Sequence, residues 1–462
     1  MPALIIHGHF YQPPRENPWT GEVPTELSAA PYHDWNERIH AECYAPNVIN
    51  YPHISFNFGP TLLSWLELHH RDTYQKILDA DKVSAAARGG HGNAIAQAYG
   101  HAILPLCNER DRLTQVLWGL ADFRFRFGRE AEALWLPETA ANDDVLALLI
   151  KQGLRYVILS PDQAKGKIEP SQAYVFRHPE GSARSLAVFF YNGPLARAIA
   201  FEKALTSSRG LVDQFIRAAQ TGDLVNVATD GETYGHHFKF GDLCLAHALD
   251  VEARQAGFWI TNYGEYLDRH PPETAVEIDQ GLEGEGSSWS CVHGVGRWTR
   301  DCGCHTGGET GWNQSWRAPL RAALNFLRDD AAIKFQSSEL LRDPWAARND
   351  YVEVLLDPHH ARASFLARHA TGGVEESRVW KLLEMQRSAL LMFASCGWFF
   401  SDLAGIETIQ LMRYAAHVMD LQSQLGLQPP EKKFLELMSE AKSNQPEKGT
   451  GADLFLRFVK PR

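Results

Sequence analysis

Short apolar runs alternate with longer amphipathic stretches through the first 260 or so residues. Ala3–His7 (ALIIH), His53–Phe58 (HISFNF), Lys82–Ala87 (KVSAAA), Ala133–Leu136 (ALWL), Arg155–Ser160 (RYVILS), Leu224–Ala228 and Phe258–Thr261 (FWIT) have the length and residue types of buried strands. Tyr174–Phe176 and Leu186–Tyr191 flank HPEGSARS, which reads as the turn of a β-hairpin. Between these runs, LLSWLELHHRDTYQKILD, Arg112–Phe127, Leu205–Thr221 and Leu243–Ala256 carry the helical period. Asn142-Asp143-Asp144 caps the helix DVLALLIKQG, and Gly153 stops it. About seven β–α units in one direction predict a parallel sheet with right-handed crossovers, closed or nearly closed into a barrel. No Gly-x-Gly-x-x-Gly follows the first strand, so dinucleotide binding has no support.

The rhythm breaks at Pro271-Pro272. A stretch rich in Gly, Trp and Cys follows, to about Gly311, and a loop of that length is usually functional or a junction. From Ser315 the pattern is helical, with turns expected at Pro429-Pro430 and in SNQPEKGTG. The expected organisation is a catalytic barrel over 1–270, a connecting region over 271–313 at its mouth, and a helical domain over 314–462.

Composition narrows the function. Across 462 residues, 44% are hydrophobic and the net charge is −11, which disfavours a nucleic-acid partner or an anionic membrane surface. The N-terminus lacks a basic n-region, and no apolar run reaches 18 residues, so a cytoplasmic protein without a membrane partner is expected. Seven scattered cysteines read as reduced thiols. Oligomeric state is not legible. Thirteen tryptophans are many; they can be core or can stack on sugar rings, with Trp289, Trp298, Trp312 and Trp398 as candidates for either. Cys291-x-His293 and Cys302-x-Cys304-His305 suggest a metal, but Cys-x-Cys spacing suits two ligands on one ion poorly. The expectation is therefore an ordered loop of thiols, with no metal and no cofactor.

In a barrel of β–α units, active groups sit where strands end. Four such ends are polar: His7-Gly8-His9 with Gln12; His91-Gly92-Asn93 with Tyr99 and His101 downstream; Trp135-Leu136-Pro137-Glu138; and Asp230-Gly231-Glu232. Any one alone is as compatible with packing or capping as with chemistry. Carboxylates and histidines converging on one rim match acid–base work on a polar substrate.

These motifs resemble those of glycoside hydrolase family 57. His7-Gly8-His9 with Gln12-Pro13 is similar to the family's first motif, and His91-Gly92-Asn93 through Tyr99-Gly100-His101 to Pro105 to its second. Trp135 to Thr139 is similar to the third, and Asp230-Gly231-Glu232 to the fourth. The resemblance implies a (β/α)7 barrel with a C-terminal helical domain. It also implies Glu138 as nucleophile, Asp230 as general acid/base and Glu232 as a supporting carboxylate. Substrate contacts are implied from His7, His9, Gln12, Asn93, His101, Trp135, Trp289 and Trp398. The implied substrate is an α-glucan or maltooligosaccharide.

The pattern departs from the family in three places. Phe10-Tyr11 is inserted before Gln12, Asn93 stands where relatives carry Glu, and Asp402 lies near Ser395-Cys396-Gly397-Trp398 in place of the family's acid there. The leading expectation is amylase-like hydrolysis. The alternatives are 4-α-glucanotransferase, branching enzyme, a catalytically weak glycan-binding protein and a metal-dependent barrel hydrolase.

Overall fold

In the computed structural model, which describes residues 1–178, 181 and 184–459, the chain forms two compact units. The first comprises Met1–Pro14, Pro24–Ala98 and Phe123–Gln280; the second comprises Arg15–Val23, Tyr99–Asp122 and Gly281–Arg462. The division is thus not a single cut near residue 270, because two short segments of the N-terminal half fold with the helical C-terminal half. The architecture is a (β/α)7 barrel with a C-terminal helical domain.

The barrel is organised on β1 (Ala3–Phe10), every residue of which is buried. Its strands are β2 (Ser55–Phe58), β3 (Ala96–Gln97), β4 (Leu134–Trp135), β5 (Tyr156–Leu159), β6 (Ala173–Arg177), β7 (Ser185–Phe190), β8 (Leu224–Asp230) and β9 (Trp259–Ile260). On one side β1 pairs in parallel with β8, from Ala3↔Leu224 to His9↔Asp230. On the other it meets β9 at Ala3 and Leu4, then β2 from His7↔Ser55 to Phe10↔Phe58. The ring continues in parallel through Phe56↔Ala94, Ala96↔Leu134, Ala133↔Tyr156 and the β5–β7 ladder. It closes where Asn192 N–H donates to Asn226 O (2.8 Å) and Asn226 Nδ2 donates to Phe190 O (3.1 Å). Near-continuous Val, Ile and Leu runs are what strands covered on both faces require.

Strand β6 is antiparallel to β7, so the expected hairpin is present; residues 179, 180, 182 and 183 of its HPEGSARS turn lie outside the described residues. Asn142 caps Asp143–Lys151 by accepting from Val145 N–H (3.0 Å), and Gly153 past its end has φ 79.

Two expectations need correcting. Lys82–Ala87 is not a strand but the last turns of the helix Arg71–Ala87. Alanine is the best helix former, and this run continues the period of the residues before it. The third strand comes later, at Ala96–Gln97, after Gly89 and Gly90 turn the chain at positive φ. The stretch 62–79 is likewise two helices, Pro60–His69 and Arg71–Ala87, broken at His70.

The second unit contains Arg317–Gln336, Pro344–Leu356, Pro358–His369, Glu376–Leu391, Ile406–Gln424, Glu431–Ser439 and Gly451–Phe458. Among the described residues no helix is long and apolar enough to cross a membrane.

Candidate active site

The register sets His9 beside Asp230 and Asn57 at the carboxyl ends of β1, β8 and β2. Beneath them lies a layer of neutral hydrogen bonds. His7 Nε2 bonds to Asn57 Oδ1 (3.0 Å) and His7 Nδ1 to Ser55 Oγ (2.9 Å). Asn57 Nδ2 donates to His9 Nδ1 (2.9 Å) and to Gln97 Oε1 (2.7 Å). This network assigns both ring protons to Nε2, since each Nδ1 accepts. Burial lowers the pKa of both histidines to about 3, so they are uncharged near neutrality. Trp135 on β4 is buried and stacks on both rings, 4.8 Å from His7 and 4.9 Å from His9.

Glu138 follows β4 on a tight turn, Pro137–Thr139, where it holds φ 59 and ψ 22 and Thr139 holds φ 51. Left-handed backbone costs a non-glycine residue roughly 1–2 kcal/mol, and such strain persists only when neighbours fix it. Gln163 does so, donating to Thr139 O (2.8 Å) while accepting from Thr139 Oγ1 (2.7 Å) and Ser160 N–H (3.0 Å). The result is a nearly buried carboxylate held at the rim.

Asp230 ends β8. The residue is open to solvent on one side, yet its carboxyl is closely surrounded by protein. Burial first, and the Glu138 charge second, raise its pKa to about 7. Gly231 after it admits no side chain, because a Cβ there would lie 2.3 Å from Phe10 Cδ1. Glu232 is buried and accepts from Tyr44 Oη (2.7 Å) and Tyr11 N–H (3.1 Å). Burial and the Asp230 charge nevertheless raise it to about 8. Tyr191, whose hydroxyl bonds Ser160, lies near enough for Asp230 to act on it. The arrangement sets the Glu138 carboxyl near two carboxyls, Asp230 and Glu232, whose pKa values are raised, and a carboxyl that holds its proton near neutrality is the form that acid-assisted displacement needs.

The barrel therefore gathers His7, His9, Trp135, Glu138, Asp230 and Glu232. Gln12, two residues past β1, donates to Tyr11 O (3.0 Å) and is partly exposed. Asn93 is not at a strand's carboxyl end: it precedes β3, buried, bonding Tyr51 O (2.9 Å) and Asn262 Nδ2 (3.1 Å). Its placement at a strand end followed from putting the third strand too early, and its side chain ties the Tyr51 backbone to the Asn262 side chain.

The remaining candidates belong to the second unit. His101 is buried, its Nδ1 2.8 Å from Ser395 Oγ. Trp398 is fully buried, with Arg321 over its ring at 4.3 Å, so it is core and not a sugar platform. Trp298 is fully buried too, while Trp289 and Trp312 are partly exposed. Asp402 is buried and satisfied by Ser443 Oγ (2.9 Å), Asn444 N–H (2.6 Å) and Ala404 N–H (2.8 Å), which makes it a loop tie. Sequence reasoning passed over Asn57, Gln97 and Tyr44. The signal for Asn57 was a polar residue two places from Ser55 inside an otherwise aromatic strand.

Residues 7–279 match the model of Glycosyl hydrolase family 57, and residues 312–462 that of a Domain of unknown function (DUF3536). An α-amylase of Pyrococcus abyssi is 23% identical over 301 residues, which is 63% of this chain and 43% of that protein. A 4-α-glucanotransferase of Thermococcus kodakarensis is 24% identical over 302 residues, 63% of this chain and 42% of its own. The chain thus spans less than half the length of these curated relatives. The exo-type maltose-forming amylase of Pyrococcus sp. ST04 superimposes with a TM-score of 0.73 over 98% of this chain and 90% of that one, at 15% identity. A branching enzyme of Pyrococcus horikoshii gives 0.59 over 100% and 98%, at 16% identity. At such identities the structural likeness speaks to the fold.

Proposed function

The chain belongs to glycosyl hydrolase family 57, and from that premise we propose that it is a retaining glycosidase acting on α-1,4-glucan by amylase-like hydrolysis. The observation that carries the reading is the pairing of Asp230, raised to about 7, with the Glu138 charge that helps raise it.

Glu138, as carboxylate, attacks the anomeric carbon. Asp230, protonated, gives its proton to the departing glycosidic oxygen. Asp230 then removes a proton from water, which displaces the sugar from Glu138 with net retention. Glu232, held by Tyr44 and Tyr11, adds a third carboxyl whose protonation spares Asp230 a repulsive neighbour. His9 and the partly exposed Gln12 are the barrel's neutral polar contacts for the sugar, and Trp135, buried against both histidines, positions the rings.

Transfer to a second glucan, as in a 4-α-glucanotransferase or branching enzyme, uses the same two carboxyls with a sugar hydroxyl in place of water. Amylose and maltooligosaccharides of defined length separate the outcomes. Progressive shortening with new reducing ends is the expected result. Disproportionation at constant reducing ends, or new branch points, replaces hydrolysis with transfer. No product from any α-glucan removes the reading.

A further inference from the structure

Between the two regions matched to families lies the Gly-rich stretch 280–311, whose regular structure among the described residues is the single turn Gly296–Trp298. Four side chains of this stretch, Cys291, His293, Cys302 and Cys304, converge so that their ligand atoms all lie within 4.8 Å of one another. All belong to the second unit. We propose that they bind one zinc ion in a closed, tetrahedral Cys3His site that ties the stretch together, independently of the glycosidase reading.

The edges of the cluster carry the argument. Zinc–sulfur bonds near 2.3 Å and zinc–nitrogen bonds near 2.0–2.1 Å give tetrahedral edges of about 3.8 Å between sulfurs and about 3.5 Å between sulfur and nitrogen. Cys291 Sγ and Cys302 Sγ are 3.8 Å apart, and Cys304 Sγ and His293 Nδ1 are 3.5 Å apart. A disulfide needs about 2.05 Å.

The short Cys-x-Cys spacing that spoke against a metal is made workable by its middle residue. Gly303 holds φ +82, which reverses the chain locally and lets Cys302 and Cys304 face the same point.

The surroundings fit bound thiolates. The N–H groups of His293 and Arg297 point at the Cys291 sulfur, and that of Cys304 at the Cys302 sulfur. Such bonds orient and stabilise metal thiolates. Arg317 is fully buried, donates to Cys304 O (2.7 Å) and lies close enough for its charge to act on Cys302. Its Nε and Nη2 have no hydrogen-bond partner among the described residues. A buried cation needs a compensating charge. Three thiolates and one divalent ion carry a net charge of −1, which adds to the Asp301 charge that acts on Arg317 and offsets that of Arg297. Four protein donors leave no open position, so the role is structural.

The test uses the full chain without a polyhistidine tag, purified without chelator. Elemental analysis should find about one zinc per chain, falling at least tenfold in C302S and C304S while C107S keeps it. Because the serine variants can fail to fold, the parent chain is also exchanged with cobalt. Thiolate-to-cobalt charge-transfer bands and intense visible bands of tetrahedral cobalt are expected. A mercurial thiol reagent should release one zinc per chain. Folded parent protein holding less than a tenth of an equivalent of zinc after incubation with excess zinc overturns the proposal. So does iron in zinc's place, or a Cys291–Cys302 disulfide in the peptide map.

Discussion

Asp230→Asn separates the two jobs given to this residue. With a pKa of about 7, Asp230 is protonated in about nine-tenths of molecules at pH 6 and about one-tenth at pH 8. Only the protonated form assists departure of the glycosidic oxygen, so kcat/KM on maltoheptaose should fall about tenfold per pH unit above 7. Asn cannot donate a proton, so D230N should lose about 10²–10⁴-fold and lose that basic limb as well. A maltosyl fluoride needs no proton to release fluoride, so glycosylation of D230N by it should approach the parent's rate. The intermediate should then persist for want of a base, and azide should discharge it as an α-glycosyl azide of retained configuration. The assay is fluoride release with and without azide, read beside hydrolysis of maltoheptaose across pH 5–9. A basic limb that survives unchanged in D230N would refute the assignment, as would more than a tenth of parental activity on maltoheptaose.

The strain at Glu138 has its own signature: with φ 59, Glu138→Gly should be about 1 kcal/mol more stable than Glu138→Ala in urea titrations, the reverse of the order at an extended position, while both are inactive. Glu232, raised to about 8, holds in the folded chain a proton that the unfolded chain releases from about pH 4.5 upward, so its contribution makes stability fall as pH rises through that window. Glu232→Gln keeps an acceptor for Tyr44 and should gain roughly 1–3 kcal/mol over the parent at pH 8 relative to pH 5; a pH-independent difference contradicts the buried-acid picture. Asn57→Asp would place a carboxylate against His7 and His9, raise their pKa values, and through a charged His9 move the basic limb of activity toward lower pH.

How much of this was readable in the sequence depends on whether the deciding physics is local. Caps and stops are local, so Asn142 and Gly153 bounded their helix correctly. The apolar runs of β1, β5 and β8 are distinctive because a strand covered on both faces tolerates little polarity. KVSAAA failed because a short apolar run is equally good as a buried helical turn, and the error moved His91-Gly92-Asn93 to the wrong side of β3. Trp398 and Asp402 were legible as residue types but not as environments. Whether an indole faces sugar or Arg321, and whether a carboxylate is free or tied by Ser443 and Asn444, is decided by residues distant in sequence. That Cys302 and Cys304 converge with Cys291 and His293 was not legible for a conformational reason, since spacing alone does not reveal the φ of Gly303.

The layer beneath the carboxyls explains a feature that the motifs alone leave open, namely why two histidines adjoin an acid whose pKa is raised. A protonated histidine beside Asp230 would stabilise the carboxylate and lower its pKa. Here desolvation keeps both rings neutral, and Asn57, with Ser55 at His7, hydrogen-bonds them through uncharged groups. Trp135 completes the insulation by covering both rings with an apolar plane. With both rings neutral, Asp230 feels burial and the Glu138 charge, and both push the same way. The polar floor thus supplies hydrogen bonds from neutral rings, and that combination lets a carboxyl at the end of β8 hold a proton near neutral pH, as the acid role proposed for it requires.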